Sequence, residues 1–204
     1  MQQTRARDRH QRILDAALRV FARRGYREAS VEEIAQASRT SKGGIYFHFP
    51  NKEALFLALL DLTTRRLMEK VEQAMAAHDD PIARADAALL TVLRTFRKHR
   101  PLARLLLVEA LGAGREFHRR MAEIRGEFAA VIKRHLDEAV QAGVIGPIDT
   151  EVASRAWFGA LNEVITTWVL SGRPERLEDA YAALRPLLMR SVGLSGIPEA
   201  RGKR

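Results

Sequence analysis

Residues 30 to 56 read SVEEIAQASRTSKGGIYFHFPNKEALF, and this stretch decides the fold. Ser30-Val31-Glu32-Glu33 is a capping box: the Ser30 hydroxyl accepts from the third amide and Glu33 reaches back to the Ser30 amide, so a helix starts here. Ile34, Ala35 and Ala37 give that helix an apolar face, and Ser38-Arg39-Thr40-Ser41 ends it in turn-forming residues. A short third helix spans Lys42 to Phe49, because Pro50 disfavours α geometry in the residue before it. Asn51 caps a fourth helix, which runs from Lys52 to about Ala77 on two apolar rows: Leu55, Leu59, Leu62 and Phe56, Leu60, Leu67, Val71. A short helix, a compact turn and a second short helix form the outline of a helix-turn-helix.

Upstream, the first helix is expected from about Thr4 or Arg7 to Arg24, burying Ile13, Leu14, Ala17, Leu18, Val20 and Phe21. Gly25 supplies a left-handed C′ residue, and Tyr26 can pack back on Phe21. Downstream, Pro and Gly breaks separate helices near residues 82–99, 101–112, 115–142, 150–171 and 175–193, before a basic tail from Gly193 that should fray. No segment alternates apolar and polar residues long enough for a strand, so the fold class is all-α with about nine helices. The expected organisation is an N-terminal three-helix DNA-binding domain over residues 1–52 and a larger helical domain over 53–204.

Charge singles out the same end of the chain. The 204 residues carry 34 Lys plus Arg against 25 Asp plus Glu, a net +9. Residues 1–52 hold 11 basic and 5 acidic side chains, whereas 53–204 hold 23 and 20, so a quarter of the chain carries two thirds of the excess. That distribution points to a polyanion-binding N-terminus on a nearly balanced body. The longest apolar run, Ala54 to Leu60, is seven residues, where about 20 are needed to cross a bilayer. The N-terminal MQQTRARDRHQR lacks the apolar core of a signal peptide, and the protein is expected in the cytoplasm. The absence of Cys excludes disulfides, thiolate zinc sites and thiol nucleophiles.

Three helix N-termini, at Ser30, Ser41 and Asn51, cluster in this stretch, and such ends present backbone amides to phosphates. Gly43 and Gly44 each cost a helix about 1 kcal/mol relative to Ala, so the backbone of the third helix must approach something closely.

Residues 30–56 resemble the DNA-binding signature of the tetracycline-repressor (TetR) family, with Ser41-Lys42-Gly43, Ile45-Tyr46, His48-Phe49 and Asn51-Lys52-Glu53 at the family's spacing. The resemblance is close from Gln11 to Leu60; beyond that it rests on length and helical character. It implies that Ser41, Lys42 and Gly43 open a recognition helix in the major groove. Tyr46, His48 and Lys52 would contact phosphates, and Ser30 would offer its amide or hydroxyl to the same strand. Ile45, Phe47 and Phe49 would be packing residues. Two departures stand out: the family usually has Gly where Arg39 stands, and Thr or a similar residue where Gly44 stands. Arg39 must accept a strained positive φ or the turn is built differently, and it adds a cation near the groove. Gly44 removes a side-chain contact, shifting base readout toward Arg39, Thr40 and Lys42, while Thr40 replaces a usually aliphatic turn residue with its methyl.

In the family the last two long helices pair with their copies in a second chain, and the middle helices enclose an effector pocket. Here Trp157, Leu161, Val164 and Trp168 form one apolar row, Phe158, Ile165 and Val169 another, and the last helix carries Leu177, Tyr181, Leu184 and Leu188. A homodimer fits these rows, as does plain core packing. Asn162, Glu163 and Thr166, beside Trp157 and Trp168, are the polar groups in apolar surroundings that a ligand would satisfy. The stretch Trp157 to Gly172 looks like that of family members that repress fatty-acid degradation and respond to acyl-coenzyme A; solvent or dimer contacts account for Asn162 and Glu163 equally well.

None of the six His residues forms an H-x-x-x-H pair and no G-x-S-x-G elbow occurs, so the expectation is a regulator without catalytic residues, metal or cofactor. The reading is a repressor that binds a palindromic operator in double-stranded DNA as a homodimer and is released by a small hydrophobic effector, such as long-chain acyl-coenzyme A. An activator of the same family, a repressor responsive to multiple drugs or aromatic compounds, and a non-specific basic DNA-coating protein are the alternatives.

Overall fold

The computed structural model describes residues 2–108 and 114–194, and every regular element in them is helical. In order these are α1 (Gln2–Glu28), α2 (Val31–Ser38), α3 (Lys42–His48), α4 (Lys52–Ala76), α5 (Pro81–Lys98), α6 (Arg100–Leu107), α7 (Arg115–Gln141), α8 (Thr150–Ser171) and α9 (Tyr181–Ser191), the last led in by a 3-10 turn at Leu177–Ala180. The expected continuation of the sixth helix to residue 112 and the basic tail beyond Leu194 lie outside the described residues. Among the described residues no helix is long and apolar enough to cross a membrane.

Local signals set most boundaries. α1 is kinked at Gly25, whose φ of 79° and ψ of 168° break the helical run, and Tyr26 folds back with its ring 5.9 Å from that of Phe21. Helical bonding then continues to Glu28, beyond the Arg24 end expected from sequence. The Ser30 capping box forms both ways, with the Glu33 amide 3.1 Å from the Ser30 hydroxyl and the Ser30 amide 3.3 Å from the Glu33 carboxylate. Phe49 is extended rather than helical, as the following proline requires. The Asn51 side chain then accepts the Ala54 amide at 2.7 Å and starts α4.

The chain packs as two compact units, Met1–Arg66 with His99–Met121, and Leu67–Lys98 with Ala122–Arg204. The first has a core of Ile13, Ala17 and Phe21 from α1, Ile34 from α2, Ile45 from α3, and Leu55, Phe56 and Leu59 from α4. Its aromatic rings form a chain: Phe21 meets Phe56 edge-on at 5.2 Å, and Phe56 stacks on Phe117 of α7 at 5.6 Å. Thus α6 and the first turns of α7 belong with the helix-turn-helix, a grouping that sequence order does not reveal.

In the second unit, Leu136, Ala139, Ile145 and Val192 make a cluster against which Trp157 and Leu194 pack. α9 is locked to α5 by Arg185, whose guanidinium grips the Asp86 carboxylate with two bonds of 2.7 and 2.9 Å. α4 and α7 are each continuous helices that give their first turns to the first unit and the remainder to the second.

Candidate functional site

The turn joining α2 to α3 sets the site. The Arg39 amide bonds the Gln36 carbonyl at 3.2 Å and the Thr40 amide bonds the Ala35 carbonyl at 3.0 Å, the paired closure of a Schellman motif. That closure places Arg39 at φ 52° and ψ 43°, a left-handed conformation costing a non-glycine residue about 1–2 kcal/mol. Arg39 therefore accepts the strain, and its side chain is exposed. Ser41 caps α3 by accepting the Gly44 amide at 3.1 Å.

The two glycines of α3 have different reasons. Gly43 faces open space, with nothing within 4 Å of an added Cβ, whereas Gly44 faces the Thr40 methyl and the Ser41 hydroxyl. Of the close approach that sequence assigned to both, the chain itself supplies the one at Gly44. The Thr40 methyl is therefore structural.

One packing expectation fails. Ile45 and Phe49, four apart, are buried, but Phe47 is 84% exposed. At about 100° per residue, a side chain two positions from Ile45 points to the opposite side of the helix, so the three cannot share a face.

Of the phosphate candidates, Tyr46 is exposed, with the Lys42 ammonium 5.9 Å from its ring centroid. Lys42 itself is hydrogen-bonded to the Glu32 carboxylate, which raises the Lys42 pKa and lowers that of Glu32. His48 is half-buried and meets the rings of His10 at 5.8 Å and Phe47 at 5.3 Å, both edge-on. Burial, and then the charge of His48, lower the His10 pKa. Lys52 turns inward: its ammonium donates to the Arg27 and Ala29 carbonyls at 3.1 Å each and lies 4.8 Å from the Tyr26 ring centroid. Two of its three donors thus tie α4 to the α1–α2 connection, a packing role that sequence reasoning missed.

The five effector candidates do not converge. Trp168 is buried and its indole N–H is satisfied by the Pro174 carbonyl at 2.9 Å. Trp157 donates to the Ser191 hydroxyl at 2.9 Å and packs on the Leu136 cluster. Glu163 is exposed and accepts from the Thr167 hydroxyl at 3.0 Å. Asn162 and Thr166 remain as one half-buried row, with Phe158 a turn earlier stacked on Phe128 at 6.2 Å. Both indoles serve as internal fasteners because a carbonyl or hydroxyl from a neighbouring segment reaches each N–H.

Comparison with known proteins bears directly on this arrangement. The model for bacterial regulatory proteins of the tetR family matches residues 13–59, and that for the tetracyclin repressor-like C-terminal domain matches residues 78–185. The chain belongs to the TetR family. It is 32% identical over 179 residues to the HTH-type transcriptional regulator TtgR of Pseudomonas putida, covering 83% of this chain and 81% of that protein. It is 25% identical over 187 residues to the fatty acid metabolism regulator protein of Bacillus subtilis, covering 91% and 96%. Among solved structures it resembles FadR from Bacillus subtilis in complex with stearoyl-CoA, with a TM-score of 0.80 and 25% identity over 92% of this chain and 99% of that one. FadR from Bacillus halodurans gives the same TM-score at 26% identity. As a TetR-family member the chain is a helix-turn-helix, DNA-binding transcriptional regulator, and α2, the Arg39-Thr40-Ser41 turn and α3 form its helix-turn-helix.

Proposed function

We propose that this TetR-family regulator is a repressor that binds a palindromic operator as a homodimer and is released by a long-chain acyl-coenzyme A. Residues 1–52 supply the DNA contacts, and 53–204 the effector and dimer surfaces. Ser30, Arg39, Ser41, Lys42, Tyr46 and His48 contact the duplex, the backbone at Gly43 approaches it, Thr40 and Gly44 shape the turn, and Lys52 offers its third N–H to a phosphate.

The observation that carries the effector reading is the state of α5. Its sequence is apolar along most of its length, yet only Leu89 and Leu93 of its 18 residues are fully buried. Accessible apolar surface on a helix inside a packed unit suits an acyl chain, and the relative bound to stearoyl-CoA shares the fold. Asn162 and Thr166 supply polar contacts beside the Phe128–Phe158 pair.

The homodimer reading is supported by outward faces on the last two helices. Val152 and Leu170 of α8 are 62% and 58% exposed and Leu187 of α9 is 64% exposed, with the exposed small residues Ala156 and Gly159 between the first two. Such a stripe suits close packing against a second copy of itself.

To test this, duplexes that bind the full chain are selected from random DNA and footprinted. The expected product is an inverted repeat with half-site centres about 10 bp or a multiple apart, and with binding steeply dependent on salt. Acyl-coenzyme A of increasing chain length is then titrated against the complex. Uniform coverage without a palindrome defeats the operator reading. Release that ignores the acyl chain removes the acyl-coenzyme A and leaves the repressor.

A further inference from the structure

The outer face of α3 consists of Lys42, Gly43, Tyr46 and Phe47, opposite buried Ile45 and Phe49. Lys42 is paired with Glu32, Tyr46 lies beneath the Lys42 ammonium with a polar hydroxyl at its tip, and Gly43 has no side chain. Phe47 is the group that stands out. It is 84% exposed, and its ring meets that of His48 edge-on at 5.3 Å.

We infer that Phe47 is a specificity-determining residue, packing its ring against the 5-methyl group of a thymine in the major groove. The inference rests on the operator reading above and adds which base is recognised. A phenyl ring neither donates nor accepts a hydrogen bond, so it gains nothing from phosphate oxygens or from the polar edges of guanine, cytosine and adenine. Among the base edges of the major groove, thymine alone presents an apolar group. Gly43 lies one turn earlier on the same side of α3, and its bare backbone leaves the helix surface low beside the ring. That lets α3 settle deep enough for a side chain near its C-terminal end to reach a base edge. The ring's exposure in the free chain is then apolar surface held ready for removal from water.

The experiment uses the full chain and a duplex selected by it. Each thymine is replaced in turn by deoxyuridine, which deletes only the methyl, and affinity is measured for the wild type, Phe47→Leu and Phe47→Ala. One thymine per half-site should cost the wild type about fourfold, the worth of one methyl removed from water. Phe47→Leu should keep part of that sensitivity and Phe47→Ala none, while both respond normally at every other thymine. Because the ring is exposed, the thermal midpoint of Phe47→Ala should match the wild type. Selection of an inverted repeat whose methyl deletions cost wild type and Phe47→Ala alike would overturn this inference and leave the operator reading standing. Failure to enrich any sequence would overturn both.

Discussion

The Cγ2 methyl of Thr40 lies 2.7 Å from the point where a Cβ on Gly44 would stand. Two carbons pack best at about 3.5–4.0 Å, so these residues share a space that holds only one of them. Positions 40 and 44 are therefore coupled: with the Thr40 methyl in the turn, position 44 has no room for a side chain. Gly44→Ala should destabilise the chain, although Ala in an open helix gains about 1 kcal/mol over Gly. Combined with Thr40→Ser, which removes the methyl, the substitution should become neutral or favourable. A double-mutant cycle on chemical unfolding should give a coupling of about 1 kcal/mol or more. Additive effects would mean that the methyl rotates away freely.

Arg39 presents an opposition between stability and binding. Arg39→Gly removes left-handed strain and adds freedom to the unfolded chain, for a net gain of roughly 0.5–1 kcal/mol. It also deletes an exposed cation beside α3. The variant should melt higher yet bind the operator more weakly, and its salt dependence should fall by about one counterion. An unchanged salt slope would assign Arg39 to the turn alone.

The readings that succeeded depend on neighbours in sequence. The Ser30 box, the Asn51 cap, the break at Gly25 and the stop before Pro50 involve partners within four residues, and each forms. The contacts that the sequence did not reveal depend on partners from elsewhere. Lys52 is claimed by carbonyls 23 and 25 residues away, and Trp157 by a hydroxyl 34 residues on. No local pattern specifies such partners. Phe47 differs, because helical phase alone separates it from Ile45 and Phe49; grouping the three as packing residues overlooked a legible signal. The association of Phe117 with Phe56 joins residues 61 apart and left no trace in spacing.

Tyr181 predicts an alkaline limit to stability. Burial, followed by its hydrogen bond and proximity to Asp86, pushes its pKa from 10.0 up to about 12. The folded chain therefore keeps a proton that the unfolded chain releases. This contribution is complete below pH 10 and is lost as pH rises from about 10 to about 12. Tyr181→Phe should cost about 1 kcal/mol at neutral pH through the lost hydrogen bond, then flatten the alkaline decline. Tyr26, also raised, acts in the same direction in both proteins, so their difference isolates Tyr181. Urea midpoints measured across this range decide it: parallel declines in the two proteins would sink the assignment.

Arg120 offers a way to separate DNA binding from its control. Its Nε donates to the Asp61 carboxylate at 2.6 Å, and one turn earlier Phe117 stacks on Phe56, so two contacts fasten the start of α7 to α4 within the DNA-binding unit. Both helices continue unbroken into the second unit, where the proposed effector binds. An effector changes operator affinity only by binding the DNA-competent and DNA-incompetent arrangements unequally, and that difference must travel through elements common to both units. Arg120→Met keeps most of the aliphatic stem and removes the ion pair, so operator affinity without effector should change little. The coupling should shrink instead, from the usual 1–3 kcal/mol, about 5- to 150-fold in affinity, toward the bottom of that range. Reciprocity supplies an internal check: operator DNA must weaken acyl-coenzyme A binding by the same reduced factor in the variant, so both titrations have to agree. Asp61→Asn should reproduce the loss in part, since an amide still accepts one bond from the guanidinium. Should Arg120→Met lose operator affinity while release by effector stays at the wild-type factor, the pair would be a support for the DNA-binding unit with no share in signalling.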